Sequence, residues 1–186
     1  IAYARNAERL RLVPVASITA DGAVDSIQLF SRVPFARVRT VAVTPHSETS
    51  VALLRVLMGA QASPFTTLAG APAEALDDVD GVLLIGDEAL AGLRAPFAAH
   101  HADLGALWRE RTGQPMVFAV WAARATVAHE RPAELAMFAR LLTEARSAYL
   151  ADPETVVAAA AARFSFPAGF IRPYLGRLRY EFGAAE

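Results

Sequence analysis

The sequence predicts an α/β fold, and three of its features do so. Short segments of β-branched character alternate with alanine-rich helical stretches. The run GVLLI at residues 81–85 is apolar throughout, the pattern of a strand covered on both faces, as in a parallel sheet. From Pro132 onward the pattern is nearly all helical, as expected of helices that return across an earlier lobe.

Along the chain, residues 3–10 read as a short helix and residues 12–19 as a strand. Residues 24–33 form a second strand, with Ser26, Gln28 and Phe30 on one face and Ile27 and Leu29 on the other. A third strand, short and buried in character, covers residues 40–44. Pro45 breaks it, and Ser47 follows as an N-cap with Glu48 in the first turn, where the helix dipole favours an acid. Val51, Leu54, Leu57 and Met58 recur at helical spacing until Gly59 ends that helix. A linker rich in Pro and Ala, residues 69–78, leads to the buried strand at 81–85. Residues 103–111 make a helix that stops at Gly113, and Gln114-Pro115 leads into a strand at 116–121. The tail divides into helices near 133–150, 153–163 and 168–178, with Pro153 in a first turn behind the cap Asp152.

Composition narrows the chemistry. Hydrophobic residues make up 54% of the 186 and charged residues 20%, with a mean hydropathy of +0.30, which is ample for a core. A net charge of -1 supplies no field to steer the chain toward nucleic acid or an anionic membrane. The absence of cysteine excludes disulfides, thiolate nucleophiles and cysteine-held zinc or iron–sulfur sites. All 18 basic residues are arginine, so Schiff-base lysines, P-loop lysines and Ser–Lys dyads are excluded too. No apolar run is long enough to span a bilayer and no secretory signal is visible; the cysteine-free composition suits a cytoplasmic location, which is the expectation.

In open parallel sheets ligands sit beyond the carboxyl ends of the strands. That directs attention to residues 45–50 and 86–90. The string Thr44-Pro45-His46-Ser47-Glu48-Thr49-Ser50 places hydroxyls and free backbone N–H groups at a helix N-terminus, a setting that binds carboxylate or phosphate. The plainer alternative is that Ser47 only caps and that Thr49 and Ser50 face solvent. Asp87, after the strand at 81–85, reads first as an N-cap and second as a substrate contact. Ser26 and Gln28, polar within an apolar strand, either face solvent or line a cleft. His100-His101 with Asp103 lack a third ligand at metal-binding spacing and read as a surface loop. His46, beside the candidate anion site, either touches substrate or is simply solvated; His129 reads as structural, Asp77-Asp78-Val79-Asp80 as a solvated linker, and Trp108 and Trp121 as core before a stacking surface for a ring.

Several strings together point to a family. Asp21-Gly22 followed by SIQLFSR at 26–32 is similar to a strand motif S-V-x-L-F-S-R. TSVALLR at 49–55, LIGDEAL at 84–90 and DLGALWR at 103–109 follow in order, then Thr112-Gly113-x-Pro115 and Val117-Phe118-Ala119-x-Trp121 with Arg124. In these blocks the chain resembles the MqnA family, the chorismate dehydratases of the futalosine pathway to menaquinone. Gln28 stands where that family usually has an apolar residue.

The resemblance implies a two-lobed, periplasmic-binding-protein-like fold of type II, with a ligand cleft between lobes. Residues 1–28 and 120–186 would form lobe I and residues 29–119 lobe II. The family's chains start several dozen residues before Ile1 and run on past Phe182, so lobe I would be incomplete at its N-terminal part. The implied reaction removes water from chorismate to give 3-[(1-carboxyvinyl)oxy]benzoate, with no metal or redox cofactor. The implied partner is a small dicarboxylate, with no nucleic acid and no membrane. Under that reading Ser47, Thr49 and Ser50 bind one carboxylate, Ser26 binds substrate from the hinge strand, and Asp87 orients a hydroxyl. The base would come from the segment before Ile1 or from a substrate carboxylate. Two alternatives stand beside it: the pathway's later lyase on the same scaffold, and a solute-binding protein for a small carboxylate without chemistry.

Overall fold

The computed structural model describes residues 1–61 and 63–182. The chain begins with α1 (Ala2–Arg5), β1 (Leu10–Ala20), β2 (Ile27–Ser31), β3 (Val41–Val43), α2 (Glu48–Met58) and β4 (Thr66–Thr67). Next come α3 (Pro72–Ala75), β5 (Gly81–Ile85), α4 (Gly86–Arg94), β6 (His100–Asp103) and α5 (Leu104–Thr112). The remainder is β7 (Met116–Arg124), α6 (Ala125–Glu130), α7 (Pro132–Ala151), α8 (Pro153–Phe164), α9 (Ala168–Arg177) and β8 (Leu178–Arg179). Asp21–Pro115 forms one compact unit, here the second, and the described residues on either side of it form the first.

The second unit is a five-stranded sheet in the order β4-β3-β5-β2-β6. β3 is parallel to β4 and to β5, while β2 is antiparallel to both β5 and β6. The parallel sheet expected from the sequence is therefore present in one half only. Residues 32–40, after β2, hold a single 3-10 turn, Phe35–Arg37, and no crossover helix of the kind that brings parallel neighbours together. β5 lies between β3 and β2, and Val82, Leu83 and Leu84 are fully buried, as its apolar composition requires.

One part of the core gathers Phe30, Leu76, Val82, Leu84 and Ala89, with the Phe97 ring 4.9 Å from that of Phe30. α4 and α5 both pack on β2, so that every residue of β2 is buried, Gln28 included. α2 begins at the cap Ser47 and ends at Gly59 (φ 58), both as expected. At its C-terminal end Arg111 Nη1 donates to the carbonyls of Val56 (2.9 Å) and Leu57 (3.0 Å), where the helix leaves acceptors open. α5 is capped by Asp103 and closed by the left-handed Gly113.

The first unit carries a three-stranded antiparallel sheet, β7-β1-β8, and the helices of the tail. The expected helices of the tail are present, joined by a helix α6 and a short strand β8 that the sequence did not suggest, and two expected boundaries move. The helix expected over residues 3–10 stops at Arg5, because the strand pairing of β1 with β7 begins at Leu10. The strand expected to end at residue 121 runs on to Arg124, which pairs with Leu10. The expected division at residues 28 and 119 falls instead at 20 and 115. β2 is bonded on both sides within the second unit, whereas residues 116–120 pair with β1. Among the described residues no helix is long and apolar enough to cross a membrane.

Candidate functional site

Three strands of the second unit hand over to helices at the same end of the sheet. β3 and β5 run parallel, and β5 and β6 both oppose β2, so the carboxyl ends of β3, β5 and β6 share one edge. The N-termini of α2, α4 and α5 therefore open there, together with the start of β2. Helix N-termini carry free N–H donors and the positive end of the dipole, so an edge of this kind attracts anions.

At α2, Thr44 is buried, and its N–H extends the sheet by donating to Leu83 O (3.1 Å). Its hydroxyl accepts from His46 N (3.2 Å), which turns the chain after Pro45. Ser47 Oγ accepts from Ser50 N (3.1 Å) and donates to Ser50 Oγ (2.9 Å). Ser50 is 2% exposed and Thr49 half-buried, so neither faces open solvent as the plainer alternative had it.

At α4 the expectation for Asp87 changes. The helix starts at Gly86 immediately after the strand, which leaves Ile85 as the cap residue and puts Asp87 and Glu88, both exposed, in the first turn. Asp87 is therefore not the N-cap, and its negative charge uses the dipole that an anionic ligand would need. Gly86 has φ +59, a conformation open to glycine, and its N–H donates to Ser26 O (2.7 Å). This bond joins Ser26, which is buried, to the α4 end of the site.

Ser26 closes a tight turn. Its N–H donates to Val24 O (2.7 Å) around Asp25, a non-glycine residue at φ 58. The Asp103 carboxylate holds that turn, accepting from Asp25 N (2.7 Å) and, through both oxygens, from Val24 N (3.1 Å). It also accepts from Gln28 Nε2 (2.6 Å) while capping α5 at Ala106 N (3.0 Å). Gln28 thus neither faces solvent nor opens onto a cleft: it is 1% exposed and pairs with Asp103 across β2 and β6. The sequence reading took Asp103 for a helix start and missed these further acceptor roles. The polar Gln28 inside an apolar strand was the signal that a buried partner was needed.

Several other residues fall away from the site. His100 and His101 sit in β6 and not in a surface loop, because Ser31 and Phe30 pair with them; His101 Nδ1 lies 3.3 Å from Gln28 Oε1. Asp80 does more than solvate a linker: it accepts from Arg39 N (2.9 Å) and Thr40 N (3.0 Å). The backbone N–H groups of Thr40 and Arg39, with Arg32 nearby, hold its carboxyl below the ordinary value. Trp108 donates to Pro115 O (3.2 Å), whereas Trp121 is exposed and meets Phe138 edge-on.

In the first unit an apolar cavity of 410 Å³ is lined by residues that include Ile18, Trp121, Leu142, Tyr149 and Tyr180. Burial pushes the Tyr180 hydroxyl above its ordinary pKa. A second cavity of 480 Å³ lies between Arg9 and Arg124. Neither includes a residue of the sheet edge described above.

The sequence profile of the menaquinone biosynthesis family matches residues 1–186. The chain belongs to that family. Within it, a chorismate dehydratase of Thermus thermophilus is 36% identical over 194 aligned residues, taking in 96% of this chain and 70% of that enzyme. Among solved structures, a protein of Archaeoglobus fulgidus matches with a TM-score of 0.69 at 16% identity, over 98% of this chain and 67% of that one. The periplasmic aliphatic sulphonate binding protein of Escherichia coli matches with a TM-score of 0.62 at 20% identity, over 96% and 64%. The menaquinone family chain thus has the α/β fold of periplasmic solute-binding proteins, and it spans about two thirds of the length of these structures.

Proposed function

We infer that the chain is a chorismate dehydratase, a hydro-lyase converting chorismate to 3-[(1-carboxyvinyl)oxy]benzoate in menaquinone biosynthesis. The observation that carries this reading is the 36% identity to such an enzyme along 96% of the chain. The reaction breaks one ring C–H and one C–O bond, releases water and leaves an aromatic ring. It is redox-neutral and needs no electron acceptor. Because aromatisation supplies the driving force, the protein's main task is to hold a dianion in register. A biosynthetic role of this kind is consistent with a cytoplasmic location.

The sheet edge of the second unit has the chemistry for that task. In our reading the N-terminus of α2, with Ser47, Thr49 and Ser50, takes one carboxylate. Ser26, whose N–H and carbonyl are taken up by Val24 and Gly86, offers its hydroxyl beside the N-terminus of α4. Asp87, already negative, is suited to a ring hydroxyl and unsuited to a carboxylate.

The test is to incubate the protein with chorismate and follow ultraviolet absorbance and mass. A product lighter by one water supports the dehydratase. Tight binding of chorismate with no product favours a solute-binding role, and turnover of a futalosine-derived substrate in place of chorismate favours the later lyase. The variant Thr49→Ala/Ser50→Ala then addresses the site. A tenfold or larger rise in KM, about 1.4 kcal/mol of binding, is expected if α2 holds a carboxylate. An unchanged KM removes these residues from the site.

A further inference from the structure

The block DLGALWR at residues 103–109 has no part in the reading above, yet its first residues converge on the turn that carries Ser26. Asp103 receives the N–H groups of Val24 and Asp25 and the Gln28 amide, while Gln28 Nε2 also donates to Asp25 O (3.1 Å). Asp25 is thus held at both its N–H and its carbonyl, in a left-handed conformation (φ 58) that a residue with a Cβ avoids when left free. Gly105 lets the two segments meet: a Cβ there would lie 2.4 Å from Gly22 O. One helical turn further on, Arg109 pairs with Asp21 at 2.9 Å. Helix α5 and its cap are therefore tied to Asp21, Val24 and Asp25 and packed against Gly22, and Ser26, which also takes the Gly86 N–H, is the next residue in line.

We propose that Asp103 is a positioning residue for the substrate site: it holds the strained turn at Asp25 so that Ser26 is presented beside the N-terminus of α4. This rests on the reading of Ser26 as a substrate contact. Four donor groups on one carboxylate are more than capping α5 requires, since Ala106 N alone serves the cap. The remaining three act on the turn and on the strand that leaves it.

A double-mutant cycle on the full chain tests the proposal, with KM and kcat for chorismate as the readout. Asp103→Asn keeps an oxygen for the cap but places an NH₂ against donors. It is expected to raise KM about tenfold, and Ser26→Ala to raise it by a similar factor. In the double variant the rise should be no larger than in the worse single variant, because Asp103 acts through Ser26. Adding Asp25→Gly to Asp103→Asn should recover at least threefold of the loss, since glycine takes φ 58 without its neighbour's help. Multiplicative losses in the double variant, or an Asp103→Asn enzyme with unchanged KM, overturn the inference while leaving Ser26 in the site. Ser26→Ala without effect removes Ser26 and the inference with it. If Asp103→Asn does not fold, Gln28→Met withdraws only one arm of the clamp; a rise of about threefold that is absent in the Ser26→Ala background supports the proposal, and a multiplicative rise overturns it.

Discussion

The two units bury their apolar residues very differently. In the second, both sheet faces are covered, and the core runs from Val24 through Leu29, Leu54 and Leu83 to Leu104. In the first, the buried apolar side chains among the described residues are Val13, Ala16, Ala20, Val157 and Ile171. Its α7 spans 20 residues and buries none of them, although Met137, Phe138 and Leu141 lie on it. Helix propensity and apolar spacing fix where a helix forms; the burial it obtains depends on what lies against it. The candidate site stands on the packed unit, whose buried strands and helices give it the rigid support that a site orienting a substrate requires.

That contrast can be broken by mutation, with each unit reporting on itself. The chain has two tryptophans, Trp108 in the second unit and Trp121 in the first, so single-tryptophan variants follow one unit at a time. The largest effect is expected at Leu54, fully buried in α2. Leu54→Ala should cost about 2–5 kcal/mol in denaturant unfolding read by Trp108. Next is Gly105→Ala, which forces backbone against Gly22 and should cost about 1–3 kcal/mol. A cost near zero at either position means that the second unit is not packed as described.

Asp80→Asn comes third and carries a pH signature. The folded carboxyl lies below its ordinary value of 3.8 because Thr40 and Arg39 N–H groups bond it. Its contribution is therefore present above that value and lost as pH falls through the lower folded one. Wild type should exceed Asp80→Asn by about 1 kcal/mol near neutrality, and the two should converge in strong acid. A gap that persists at low pH contradicts the assignment. The smallest effect is expected for Leu141→Ala on the open face of α7, within about 0.5 kcal/mol by Trp121. A loss comparable to that at Leu54 would show the first unit to be as tightly packed as the second.

Much of this was legible in the sequence where the signal is local. The cap at Ser47, the stop at Gly59, the buried strand at 81–85 and the proline-led helix at 153 each depend on residues within one turn. What the sequence hid depends on pairing at a distance. β6 looked like a polar loop because His100-His101 carry no strand pattern of their own; they form a strand because β2 offers them a free edge. Asp87 looked like a cap because nothing in the sequence says that the helix starts two residues earlier than such a cap allows, at Gly86. Asp103 looked like no more than the start of a helix because three of its four partners lie more than 70 residues away. The hydroxyls of residues 47–50 were visible, and the burial of Ser50 beneath Ser47 was not.

The most direct measurement is a backbone NMR titration of the full chain with chorismate, with amides assigned in both units. The account predicts saturable shifts at Ser26, Thr49, Ser50, Gly86 and Asp87, the groups at the carboxyl edge of the second unit's sheet. Shifts that saturate around Ile18, Trp121 and Tyr149 while those five amides stay unmoved would place the ligand in the first unit's apolar cavity and contradict it.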